Sequence, residues 1–268
     1  MTLRESNATK VQAQPADHAV SIEDAVRSTV ADILSVAGDP ALTEDLALAL
    51  LKRPDLTSEA LERLSKNSGV MKSRKVKIAL IGHPKNSAPR VPTHMVRHLY
   101  AFDLMKLALT PVVPADIKVA ADDALVTRLE TVSLGQKLSL ARRASGRIAG
   151  ALLLDAEARV VHAALENARL TEASVIKTLM RQSTPAVFVE AVCRHSKWSL
   201  RHEVRIALLR NEKIPLARAV QFARALPPSQ LHEILHSSRL PVKIKTYLVK
   251  ELETRSAISG VVDQAGKF

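Results

Sequence analysis

The chain holds one cysteine, Cys193, and only 3% of its 268 residues are aromatic. A single thiol excludes a disulfide framework, a cysteine-based zinc site and an iron–sulfur cluster, each of which needs several thiolates. It also points to a reducing compartment. Long apolar runs are missing: stretches such as 148–154 stop far short of the roughly 20 residues that cross a bilayer, so no membrane insertion is expected. Residues 1–18 are polar and contain no secretory h-region. They are expected to form a disordered arm, and the protein is expected to be cytoplasmic. The phosphate-loop pattern G-x-x-x-x-G-K-[ST], the dinucleotide pattern G-x-G-x-x-G and the hydrolase pattern G-x-S-x-G are all absent, which removes the common nucleotide-binding and hydrolase signatures.

What is present is Ala, Leu, Arg, Lys and Glu, the residues of helices rather than of pleated sheets. Apolar residues recur at helical spacing in segments of about 9 to 16 residues between turn signals. Ser21 can cap a first helix, which Gly38-Asp39-Pro40 stops; Thr43 and Thr57 each precede an acidic first turn and open two more. An Ala-Leu pair near a helix end, a short polar turn and a second helix recur from Ala49, Ala79, Ala108, Ala164 and Ala207, the first three about 30 residues apart. The 43 residues from 164 to 207 suggest an inserted helix. One helix pair cannot bury its own apolar stripe, so neighbours must stack. The expected fold is all-α, a right-handed α-solenoid of helical repeats over residues 19–255, with a flexible tail over 256–268.

The segment KLSLARRASGRIAGALLLDAEARVVHAALENARLTEASVIKTL resembles the leucine-rich-repeat-variant branch of bacterial HEAT-like repeats, whose units read Ala-Leu-x-x-N-x-x-[LT]-[TP]. The resemblance spans roughly 40–252 and implies an architecture, not an activity, because solenoids serve diverse partners on one scaffold. Some members of that branch carry an N-terminal cysteine cluster for an iron–sulfur centre. This chain has no such cluster, and no cofactor is expected.

Charge is uneven. Residues 1–68 hold 7 basic and 11 acidic groups, leaving 32 basic against 16 acidic in the rest. The excess peaks between Arg181 and Lys250, where 13 Lys and Arg face Glu190, Glu203, Glu212 and Glu233. Within that stretch lie Arg194, His195, Lys197, Trp198, Arg201, His202, Arg205 and Arg210. Repeated cations can neutralise phosphates and an exposed indole can stack on a base. Equally, the arginines can hydrogen-bond helix carbonyl ends between repeats, and Trp198 can anchor a core. The constellation resembles the basic face of HEAT-like DNA glycosylases, although that family's further aromatic residues and cleft Asp have no counterpart here.

His232-Glu233-Ile234-Leu235-His236 is a literal HExxH, a pattern that on a helix can place two zinc ligands on one face beside a general base. Catalytic zinc also needs a third protein ligand. The metzincin continuation is missing, with Arg239 and Val242 in place of Gly and His, and Glu251 or Glu253 would have to serve instead. His94 and His98 form a second i, i+4 pair, and Cys193 lies on an apolar stripe, most simply as a small buried residue, with Arg194 beside it as a feature that can lower a thiol pKa.

The sequence therefore leads to a non-catalytic α-solenoid scaffold that binds a protein partner or acidic ligand through a basic concave face. Arg194, Lys197, Trp198, Arg201, His202 and Arg205 are the expected contact residues, with no metal. A nucleic-acid-binding HEAT-like protein is the alternative and a zinc-dependent hydrolase the second alternative; the oligomeric state stays open.

Overall fold

The computed structural model describes residues 30–86 and 93–265, with side chains over 32–86 and 95–254. The expected N-terminal arm and the helix start at Ser21 lie outside the described residues. Among those described, the secondary structure is helical throughout, as fifteen α-helices and three 3-10 segments. No described helix is long and apolar enough to cross a membrane. The chain divides between Asn86 and Ser87 into two compact units, where the sequence reading has one domain over 19–255.

The first unit contains α1 (Val30–Gly38), α2 (Glu44–Leu51), α3 (Ser58–Lys66) and α4 (Arg74–Ile81). Hydroxyl caps start three of them: Thr43, Thr57 and Ser73 accept from the amides of Leu46, Ala60 and Val76. Helix α1 packs on α3 and α2 on α4, burying Leu50, Leu61, Leu64, Val76 and Leu80.

The second unit contains α5 (Ala101–Leu109), α6 (Ala115–Val126), α7 (Leu134–Arg143), α8 (Gly146–Leu152), α9 (Ala158–Leu165), α10 (Glu172–Leu179), α11 (Ala186–Arg194), α12 (His202–Leu209), α13 (Leu216–Arg224), α14 (Pro228–Ser237) and α15 (Val242–Ala265). Where the sequence led to a flexible tail from residue 256, the backbone continues as helix to Ala265. Alternate helices pack in rows. Helix α6 packs on α8, α8 on α10, α10 on α12 and α12 on α14, while α7, α9 and α11 form a second row and α13 packs on α15. The Ala-Leu pairs fall at helix ends of both rows: Ala164 belongs to α9 and Ala207 to α12. The longer interval between them thus spans two further helices, α10 and α11, and does not mark one repeat position.

Helices this short are mostly ends, because the first four N–H and last four C=O groups of any α-helix lack intrahelical partners. N-terminal donors are met locally by Ser133, Ser145 and Thr171, whereas at α6, α11, α13 and α14 the cap is a proline, which removes one donor and accepts from none. The C-terminal carbonyls are met from two helices further on. After α3, Asn67 Nδ2 donates to Asp39 O (2.7 Å) and Ala37 O (3.3 Å) while its Oδ1 accepts from Gly69 N. After α9, Asn167 donates to Ala141 O (2.7 Å) and Ala144 O (3.2 Å) and accepts from Arg169 N. After α12, Asn211 donates to Leu179 O (2.7 Å) and accepts from Lys213 N. Since each helix end meets the end of the one two before it, the helices of a row run parallel. Gly146 fixes the same spacing from the other side: a Cβ there would stand 2.3 Å from Arg169 O, a backbone atom with nowhere to go.

Asn167→Ala should therefore lower stability to urea by about 1–3 kcal/mol for each buried group left unpaired, and Gly146→Ala by about 1–3 kcal/mol through overpacking. Arg142→Gln, at an exposed position, should stay within about 0.5 kcal/mol of the parent.

Candidate functional site

The expected contact residues do not form one helical ridge. Arg194 ends α11, Trp198–Leu200 is a 3-10 turn, and Arg201 caps α12. Trp198 is 2% exposed and its Nε1 donates to Leu165 O at 2.9 Å. It is a core anchor that closes the end of α9, and stacking on a base is barred to it. Lys197 Nζ sits 4.1 Å from the indole centroid, a cation–π contact that caps the ring. Arg205 is also turned to structure: its Nε donates to Ser199 O at 2.7 Å and its guanidinium lies over Phe222. Arg194 stands 3.7 Å from Glu190, Arg201 4.0 Å from Glu172, and His202 Nε2 is 3.3 Å from the Gln230 amide. Only Arg194, Arg201 and His202 of the six combine an exposed side chain with weak or long-range partners.

The other sequence candidates separate as well. His232, Glu233 and His236 are exposed on α14, because Leu231, Ile234 and Leu235 take the buried face. Glu251 is held by Arg224 at 2.7 Å, and among the described residues no group of three His, Cys, Asp or Glu stands close enough to hold a metal ion. His98 ends a 3-10 segment, Thr93–His98, in which i and i+4 do not share a face because the turn takes three residues; the His94 side chain lies outside the described residues. Cys193 is buried and desolvation pushes its thiol up to about 11. Cys193 is thus the small buried residue its apolar stripe suggests, and the neighbouring arginine does not offset the burial that raises the thiol.

What the sequence reading missed are cations that converge only through stacking. In the α8–α10 row an open depression of about 230 Å³ has Gly146, Gly150, Ala151 and Ser174 among its lining, with Arg147, Lys177 and Arg181 around them. A second, of about 530 Å³, follows at the ends of α10, α12 and α14 and is lined by Met180, Arg210, Ser229, His232, Glu233, His236 and Ser237. On the other row Arg142, Arg159 and His162 surround a third, of about 330 Å³, with Glu166. Arg147 is paired with Asp123. The only trace in the sequence is the 29-residue spacing of Arg181, Arg210 and Arg239. Stacking brings these three together: Arg239 N donates to Arg210 O and its guanidinium to Met180 O at 3.1 Å. Such clusters can bind carboxylate or phosphate oxygens by charge-assisted hydrogen bonds.

Comparison of the chain with protein families, with characterised proteins and with solved structures finds no match.

Two histidines occupy the position that Asn fills elsewhere. His83 Nδ1 accepts from Lys85 N at 3.2 Å, with a further hydrogen bond to the Arg53 backbone. His195 Nδ1 accepts from Lys197 N at 3.1 Å, and its Nε2 lies 3.2 Å from Glu166 Oε1 but off the line of a hydrogen bond. An accepting Nδ1 requires the neutral ring. Burial lowers both pKa values; Lys197 and His162 reinforce the shift at His195, and Glu166 opposes it. A folded pKa below the unfolded value of about 6.5 means that the unfolded chain takes up protons first as pH falls. Stability from these two neutral-ring turns should be intact above pH ~6.5 and lost as the pH falls through the folded values. Thermal melts of His195→Asn between pH 8 and 5 should show a flatter acid limb than the parent.

Proposed function

We propose that the helical rows form a right-handed α-solenoid of HEAT-like repeats that acts as a non-catalytic scaffold and binds an acidic protein partner through exposed cations. The alternate-helix packing and the clamps between every second helix support the solenoid reading. The observation that carries the binding reading is that Arg142, Arg159, Lys177 and Arg181 are exposed and have no ion-pair partner among the described residues. Unpaired surface cations steer an oppositely charged partner and set its register more than they add affinity. Burial of Trp198 weighs against single-strand base stacking, which relies on exposed rings, and leaves phosphate contacts as the form of the nucleic-acid alternative.

The test is capture from native lysate with and without nuclease, followed by reconstitution with the purified partner. An acidic protein should be retained after nuclease treatment, bind the purified chain directly and be released by about 0.5 M salt, where the Debye length falls to about 4 Å. Retention that disappears entirely with nuclease would turn the reading to nucleic acid.

A further inference from the structure

We infer that the row α8, α10, α12, α14 is a track for an extended acidic peptide, with Lys177 and Arg181 as its principal carboxylate contacts. This rests on the scaffold reading above and specifies the ligand chemistry and the face. The α8–α10 depression has Gly150 and Ala151 in its lining, so a main chain can approach α8 closely where larger side chains would fill the space. Lys177 lies in the last turn of α10 and Arg181 just past its C-cap Met180, and both line this depression. Alternate side chains of an extended peptide are about 6.6 Å apart on one face. Carboxylates at i and i+2 can therefore enter the one depression that both cations line. Met180, the residue before Arg181, lines the next depression together with Arg210, so the two depressions adjoin. Parallel helices packed 8–10 Å apart place α14 roughly 25–30 Å from α8, a span of about eight or nine extended residues.

The lining favours a peptide over a polyphosphate chain. Glu233 stands in the second depression, where it would repel a continuous polyanion but can accept from a peptide N–H. Neither depression is lined by Phe, Tyr or Trp.

The experiment titrates the full chain, by fluorescence anisotropy at 150 mM salt, into labelled (Glu-Ser)5, its (Gln-Ser)5 counterpart and single-stranded dT10. (Glu-Ser)5 should bind more tightly than either control. Lys177→Glu with Arg181→Glu, both at exposed positions, should weaken it at least tenfold. Gly150→Leu, which fills the depression and leaves charge unchanged, should weaken it at least threefold, and Lys52→Gln with Lys72→Gln, exposed cations of the first unit, should leave it unchanged. Thermal melts confirm that each variant is folded; if Gly150→Leu is not, Gly150→Ala with its smaller side chain takes its place. Equal losses from the Lys177/Arg181 and the Lys52/Lys72 substitutions would overturn the track and leave the scaffold standing, as would failure of (Glu-Ser)5 to bind while the purified acidic partner does. Tighter binding of dT10 would overturn the acidic-peptide assignment, and failure of both peptide and partner would overturn both readings.

Discussion

The carbonyl ends of very short helices must find donors, and the arrangement of this protein follows from that need. A helix of seven to ten residues has almost as many unpartnered backbone groups as paired ones, and burying its apolar face brings those groups out of water. The N-terminal half of the problem is eased locally, by Ser and Thr side chains that accept from the first turn and by prolines that remove a donor. The C-terminal half is solved at a distance: Asn67, Asn167 and Asn211 each turn their own chain by accepting an amide two residues on, and with the same side chain donate to the end of the helix two before. One residue thus closes a turn and sets the register between neighbours. That is why buried asparagines, expensive in an apolar core when unpaired, are found at the joints.

The same constraint engages several of the basic residues. Arg63 donates to Leu34 O, Arg128 to Leu99 O, Arg169 to Arg143 O, Lys213 to Thr184 O and Arg239 to Met180 O. Cations at helix C-termini also favour the negative end of the dipole. Part of the positive charge therefore serves the packing from within. The proposed binding surface draws on cations left over, those that are exposed and face no carboxylate, and these are not the residues most densely clustered in sequence.

The chemically reactive residue types are drawn into the same scheme. His83 and His195 stand in asparagine positions as neutral rings, which gives two joints a dependence on pH that the asparagine joints lack. Cys193 is packing, held as a thiol by its surroundings. His232 and His236 keep an exposed face of α14 whose buried face belongs to Leu231, Ile234 and Leu235, so the spacing that brings the two histidines together is the spacing any amphipathic helix imposes.

The sequence by itself determined the helical class, because alternation suited to strands is missing and apolar residues recur at 3.6-residue spacing. It also determined most of the helix starts, since Thr43, Thr57, Ser133 and Thr171 act within three residues of themselves. Local chemistry is legible because its partners are neighbours in the chain. Tertiary structure alone decided which polar residues are joints and which are surface. Trp198 and Arg205 look like a binding face in a run of cations, yet Trp198 reaches Leu165, 33 residues back, and Arg205 is folded onto Ser199 and Phe222. Conversely, Arg147, Lys177 and Arg181 are unremarkable in their own segments and meet only when α8 and α10 pack. Burial and charge pairing depend on what comes from another helix, and no window of sequence contains it.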